Sequence, residues 1–145
     1  MLNILNRYKR ARTKQWVTSV VDRMDAYDLP GSTEVIGSFV DALNNWYIRR
    51  SRDRFWAPNS AENAADKRDA HDTLYTVLVT FAQVAAPFLP MVADEIHSGL
   101  TGGPSVHLAD WPDPAEERMS TRLNSRRVRQ SYTVFCSVQT MISVG

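Results

Sequence analysis

Arg49, Arg50, Arg52 and Arg54 fall within positions 49–54, with one acid, Asp53, among them, and Trp46, Tyr47, Phe55 and Trp56 on either side. Residues 49–54 therefore carry a local charge of +3. A guanidinium is planar, permanently charged, and meets phosphate oxygens two at a time. Aromatic rings offer faces on which bases stack. The segment NWYIRRSRDRFW points to a polyanion, and to RNA in particular. On a helix Arg49 and Arg52 share one face and Arg50 and Arg54 another, with Trp46 one turn before Arg49 and Arg50. Trp46 and Tyr47 are read as core, and the arginines as the candidate contacts. The competing reading makes the arginines a solvated face whose stems lie over apolar surface.

A second basic run occupies residues 7–14, with Arg7, Lys9, Arg10, Arg12, Lys14 and no acid. Arg7, Arg10 and Lys14 recur at helical spacing, so the two runs can form one backbone-binding surface if their helices are neighbours. Groups that perform chemistry are missing. His71, His97 and His107 are scattered, no pair has the i, i+4 spacing of a helical zinc site, and Cys136 is the only cysteine. Gly102-Gly103 reads as a turn rather than a phosphate loop, and Asp94-Glu95 as surface charge.

The positioning elements read as helices. Residues 3 to about 27 form one amphipathic helix with Leu2, Leu5, Tyr8, Trp16, Val17, Val20, Val21, Met24 and Tyr27 as its apolar stripe. Asp28-Leu29-Pro30-Gly31 makes a turn, Gly31 or Ser32 caps the next helix, and Glu34 sits in its first turn. That helix runs to about Trp56, its stripe formed by Val35, Ile36, Phe39, Val40, Leu43, Trp46 and Tyr47. Asp66 caps a third helix that extends to about Ala85, buried through Leu74, Val77, Leu78, Phe81 and Val84. Pro87 and Pro90 break the chain. A short helix from about Pro90 to Leu100 turns Met91, Val92, Ile96 and Leu100 inward. Ser105–Leu108 reads as a short extended piece. Short loops between such helices imply an all-α, up-and-down antiparallel bundle.

Composition agrees with one globular domain. The chain has 145 residues, 43% of them hydrophobic, enough to bury a core and too many for disorder. A single cysteine excludes an internal disulfide, and no apolar run approaches the roughly 20 residues of a membrane span. The cytoplasm is the expected location. The net charge of +1 conceals an asymmetry, because residues 119–145 hold four arginines and no acid. Overall charge therefore does not announce nucleic-acid binding; the local clusters do.

The segment MDAYDLPGSTEVIGSFVDALNNWYIRRSRDRFW, followed by DTLYTVLVTFAQVAAPFLPMVADEIHSGL and SVHLADWPD, resembles the anticodon-binding helical domain of class I aminoacyl-tRNA synthetases, of the isoleucyl type. Valyl- and leucyl-type enzymes share the helical domain and are the nearest alternative. The resemblance covers roughly residues 3–117. It implies the antiparallel helical bundle of that family, with isoleucine tRNA and the parent synthetase's catalytic domain as partners, and neither DNA nor membrane. The parent would use ATP and Mg²⁺. This stretch lacks the ATP-binding signatures and the editing domain, so it implies a piece that starts just after the catalytic domain and holds no cofactor itself. The alternative is a helical interaction bundle that docks on the synthetase body. Candidate tRNA contacts are Arg49, Arg50, Arg52, Arg54, Arg7, Arg10 and Lys14, with no catalytic or metal-binding residue. After Met119 the sequence departs from the family, so the expected domain is residues 1–118, and 119–145 read as an atypical tail, non-native or disordered.

Overall fold

The computed structural model describes residues 4–58 and 63–112. Five α-helices follow one another: α1 (Ile4–Asp25), α2 (Leu29–Ala42), α3 (Arg52–Trp56), α4 (Ala64–Ala85) and α5 (Pro90–Thr101). A π-helical segment, Leu43–Ile48, continues α2, and a 3₁₀ turn, Val106–Leu108, follows α5. Among the described residues there is no strand. The tail 119–145 lies outside the described residues. Two compact units divide the chain, and the boundary falls inside α4, between Val77 and Leu78.

In the first unit α1 and α2 pack through Trp16, whose ring stacks on Phe39 with centroids 4.1 Å apart and whose Nε1 donates to the Val35 carbonyl at 3.2 Å. The buried stripe of α1 departs from the apolar pattern. Its buried positions are Asn6, Lys9, Thr13, Trp16, Val17 and Val20, a regular helical face whose first half is polar. Tyr8 and Tyr27, expected on that stripe, are 49% and 91% exposed. Tyr27 sits in the connection itself, with a positive φ of 58°.

Asp28, rather than Gly31 or Ser32, caps α2. Its carboxylate accepts from the Gly31 N–H at 3.0 Å and also meets Arg23 Nη1 at 3.0 Å. Pro30 fits the first helical turn, where no donor is needed. Ser32 is buried, its hydroxyl donating to the Asp28 carbonyl at 2.8 Å. With the helix starting at Leu29, Glu34 lies beyond the first turn. Asp66, likewise, is not a cap: α4 begins at Ala64 and places Asp66 within its first turn.

The expected long second helix is interrupted twice. The π turn at Leu43–Ile48 inserts roughly one extra residue, about a 100° rotation. On an uninterrupted helix Phe55 would lie about 100° from the stripe through Ile36, Val40 and Tyr47; the wide turn restores it to the core. Trp46 lies about 100° round the helix from Tyr47, at the edge of that stripe, so Tyr47 is fully buried while Trp46 is only half-buried. Ser51 then breaks the helix before α3.

In the second unit Ala86, Ala93 and Val106 form a small core. Ile96 and Leu100 are buried as expected, but Met91 is 87% exposed, and Ala93 and His97 take the inward positions. Gly102, with φ 62°, ends α5 in a left-handed cap. Asp94 pins the following turn: one carboxylate oxygen accepts from Ser105 Oγ at 2.6 Å and from the Val106 N–H at 2.8 Å. These bonds hold the Asp94 carboxyl below its usual range. They also account for the 3₁₀ turn where an extended piece was expected, since Ser105 caps it by accepting from the His107 N–H.

Lys9 generates a test. Its ammonium lies 4.3 Å from the Phe39 ring centroid in a buried position. Burial, reinforced by the Arg12 charge, lowers its pKa from 10.5 to about 8. The unfolded chain therefore binds this proton more tightly, and stability should rise as pH climbs from about 8 towards 10.5. Lys9→Met should be more stable than the parent at pH 7. The stability difference between the two should shrink above pH 8 with a slope of up to about 1.4 kcal/mol per pH unit. Urea titrations across pH 6–10 check this; parallel curves for the two proteins would refute it.

Candidate nucleic-acid interface

The four clustered arginines do not share one environment. Arg49, Arg50 and Arg52 are exposed. Arg54 points inward, its side chain only 13% accessible. Its Nε and Nη2 donate to the two Asp66 carboxylate oxygens at 2.6 and 2.7 Å, Nη2 also reaches the Asp66 carbonyl at 3.2 Å, and Nη1 donates to Asn6 Oδ1 at 3.1 Å. A fork-to-fork pair of this kind is among the strongest side-chain contacts available. Asn6 Oδ1 also lies 3.1 Å from the Tyr47 hydroxyl, whose proton is shared with the Ala70 carbonyl at 3.3 Å. Burial pushes the Tyr47 phenol up to about 12, against the opposing pull of the Arg54 charge. Phe55 completes the group with its edge to the Tyr47 and His71 rings.

The exposed arginines are organised by neighbouring rings. The Arg50 guanidinium carbon sits 5.2 Å from the Trp46 ring centroid. Trp46 in turn meets Tyr8 of α1, with centroids 4.7 Å apart and planes inclined at 45°. This contact brings the N-terminal half of α1, with Arg7 exposed beside Tyr8, against the segment that carries the arginines. The two basic runs thus lie on adjoining elements, as a shared surface requires. Arg52 approaches the Trp56 ring at 5.5 Å.

The three cations named on α1 separate as well. Arg7 is exposed, while Arg10 and Lys14 are partly buried. Arg10 Nε is sealed from solvent without a hydrogen-bond partner, and the Arg10 charge acts on Asp72 of α4. Burial, together with the neighbouring Asp69 charge, raises the pKa of Asp72. Asn6 is not singled out by residue type alone, and Tyr8 is read only as part of the buried stripe of the first helix. Asn6 had a recoverable signal, since it starts the 6–9–13–16–20 series on the buried face. Among the described residues no group of three or more His, Cys, Asp or Glu side chains is placed to hold a metal ion.

Arg54 and the exposed arginines should respond differently to truncation. Arg54→Ala removes the guanidinium from Asp66 and Asn6 and should cost about 2 kcal/mol, since the arginine is buried but the Asp66 carboxylate is half exposed. Arg49→Ala or Arg50→Ala should cost no more than about 0.5 kcal/mol. Chemical unfolding of the three variants measures the contrast; equal midpoints would show that the Arg54 contacts contribute nothing to stability.

A family model described as the anticodon-binding domain of tRNA ligase matches residues 6–143. The isoleucine–tRNA ligase of Leifsonia xyli subsp. xyli is 51% identical over 113 residues, covering 78% of this chain and 10% of that protein. That of Nocardia farcinica is 46% identical over 114 residues, again 79% of this chain and 10% of the relative. The enzyme of Mycobacterium tuberculosis is 43% identical over 113 residues, 78% and 10% of the two chains. The chain thus spans about a tenth of the length of these relatives. An all-α chain with this match belongs to the anticodon-binding domain family of tRNA ligases, in the region shared with isoleucine–tRNA ligases.

Proposed function

We propose that this domain grips the anticodon stem and loop of isoleucine tRNA on behalf of an isoleucine–tRNA ligase. The observation that carries the reading is the outward display of Arg49, Arg50 and Arg52 on an element that Arg54 anchors from within. Family membership supplies the RNA, and the names of the relatives supply the amino acid. Arg7 extends the surface onto α1, with Arg10 and Lys14 flanking it at its margin. Arg54 serves the surface indirectly, by holding its backbone.

In this reading the parent enzyme uses ATP and Mg²⁺ in a catalytic domain outside this region, in the cytoplasm, and the helical domain links anticodon recognition to charging of the distant acceptor end. No helix among the described residues is long and apolar enough to cross a membrane. The second reading, an interaction bundle whose arginines pair with acids of a neighbouring domain, loses Arg54, which pairs with Asp66 of this chain.

Phosphate contacts release counterions, so each one adds to the steepness with which binding falls with salt. The triple variant Arg49→Ala/Arg50→Ala/Arg52→Ala, which leaves Arg54 in place, should keep the parent's unfolding midpoint. It should bind isoleucine tRNA at least roughly tenfold more weakly in low salt, and the slope of log K against log salt should fall by about 2. Filter binding at several salt concentrations reads both quantities. Unchanged affinity and slope would remove these arginines from the interface, and failure of the parent to bind tRNA would favour the interaction bundle.

A further inference from the structure

The turn between α1 and α2 holds out an apolar pair that the packing of α1 on α2 does not use. Tyr27 is 91% exposed and Leu29 56% exposed. Tyr27 has φ 58°, a left-handed backbone that glycine adopts freely and that crowds the Cβ of other residues. The surrounding hydrogen bonds impose it. The Tyr27 N–H donates to the Met24 carbonyl at 3.0 Å and the Asp28 N–H to the Arg23 carbonyl at 2.9 Å, a helix closure in which glycine is the usual residue at the Tyr27 place. Asp28 locks the other side through the Gly31 N–H and Arg23, and a Cβ on Gly31 would collide with both of those side chains, Asp28 and Arg23. Closing this turn does not require a ring, since glycine closes it at lower steric cost. The result is a rigid corner that presents a phenol and a leucine side chain together.

Charge decides what can cover them. Residues 15–48 hold five acids, Asp22, Asp25, Asp28, Glu34 and Asp41, against one base, Arg23, a net −4. Asp28 is paired with Arg23, and the other four acids are exposed. The Tyr8–Trp46 contact keeps the arginine surface at the opposite end of α1, roughly 25–30 Å away at helical rise. RNA brought to this corner would meet carboxylates, and a second copy of the same corner would meet its own sign. A protein surface of positive charge is the cover that fits. We infer that Tyr27 and Leu29 dock into an apolar recess with a basic rim on the part of the ligase that lies outside this stretch. The inference rests on the ligase reading above. The length of the relatives supplies the partner, because this chain matches only 10% of the Leifsonia xyli enzyme. A buried aromatic anchor ringed by complementary charges is how specific interfaces are held.

The test compares the 145-residue chain with the full-length parent ligase, both free of tRNA, by hydroxyl-radical footprinting. Tyr27 and Leu29 should label freely in the chain and at least roughly tenfold more slowly in the ligase, the protection of a contact that is open a tenth of the time. Asp22→Asn/Asp25→Asn in the ligase should restore part of the labelling. Tyr27→Gly should leave the unfolding midpoint of the isolated chain unchanged or raise it, since glycine takes the left-handed conformation without strain. A photo-crosslinking residue at position 27 of the ligase, with tRNA present, should join the corner to a basic segment of the same polypeptide. Equal labelling in chain and ligase overturns the inference, as does a crosslink to tRNA, to a second copy or to a separate protein. A lowered midpoint in Tyr27→Gly overturns it too, by giving the ring a role within this domain. Binding of isoleucine tRNA by the chain reports separately: if it persists while Tyr27 stays open in the ligase, the docking fails and the tRNA-binding reading stands.

Discussion

The Arg54–Asp66 fork governs how the first unit is built. A guanidinium taken out of water destabilises the fold unless every donor direction is answered, and here Asp66 and Asn6 answer it at 2.6–3.2 Å. The partners come from α1, α3 and α4, with Tyr47 of the π segment joined through Asn6 and Ala70. One charged side chain thus sets the mutual register of segments up to 48 positions apart in sequence. Its inward direction also fixes what its neighbours do. With Arg54 and Phe55 facing the core across the break at Ser51, Arg49, Arg50 and Arg52 must face out. The display of cations on the surface is a consequence of the one cation that is not displayed.

The polar half of the α1 stripe follows the same logic. Asn6, Lys9 and Thr13 occupy positions where apolar side chains would bury more favourably. Thr13 satisfies itself on the Lys9 carbonyl at 2.9 Å, and Lys9 rests on the Phe39 ring. Of the three, Asn6 is the one that hydrogen-bonds to other elements, and it leaves Nδ2 without a partner in doing so. Such groups lower stability while making alternative registers worse, because a slip of one turn would take the Asn6 acceptor from both Arg54 and Tyr47. For a domain that presents a charged surface at a set angle, that rigidity is the useful quantity.

Helix existence was legible in the residues and helix interruption was not. The periodic stripe of α4, the breaks at Pro87 and Pro90 and the turn at Gly102 follow from local chemistry, and all appear close to where the pattern put them. The π turn has no local signature of that kind. It exists because Tyr47 and Phe55 must both be buried, a constraint that only tertiary contacts impose. Trp46, read as core, is half-buried because it stands about 100° round the helix from Tyr47, at the edge of the stripe and not on it. The polar face of α1 was missed because apolarity was taken as the mark of burial. The arginine run was conspicuous, but composition weights all four residues equally, and only the position of Asp66, twelve residues on, distinguishes Arg54.

Subtracting Arg54 changes what the surface can be. Three exposed arginines and the exposed Asp53 leave a net charge of about +2 at the centre of the proposed tRNA-binding surface, too little to hold a polyanion through charge alone at physiological salt. Contacts that do not depend on counterion release must therefore contribute, and the residues able to supply them are the rings the arginines lie over. The Tyr8–Trp46 contact adds to this, since it carries Arg7 to the same side and lets α1 share the load. On the proposed tRNA-binding reading, a surface of few charges braced by rings selects RNA by shape, because an aromatic face takes only a base that has already left its stack. The arrangement suits a loop closed by a stem, whose paired part offers phosphates to the cations and whose unpaired part offers faces to the rings.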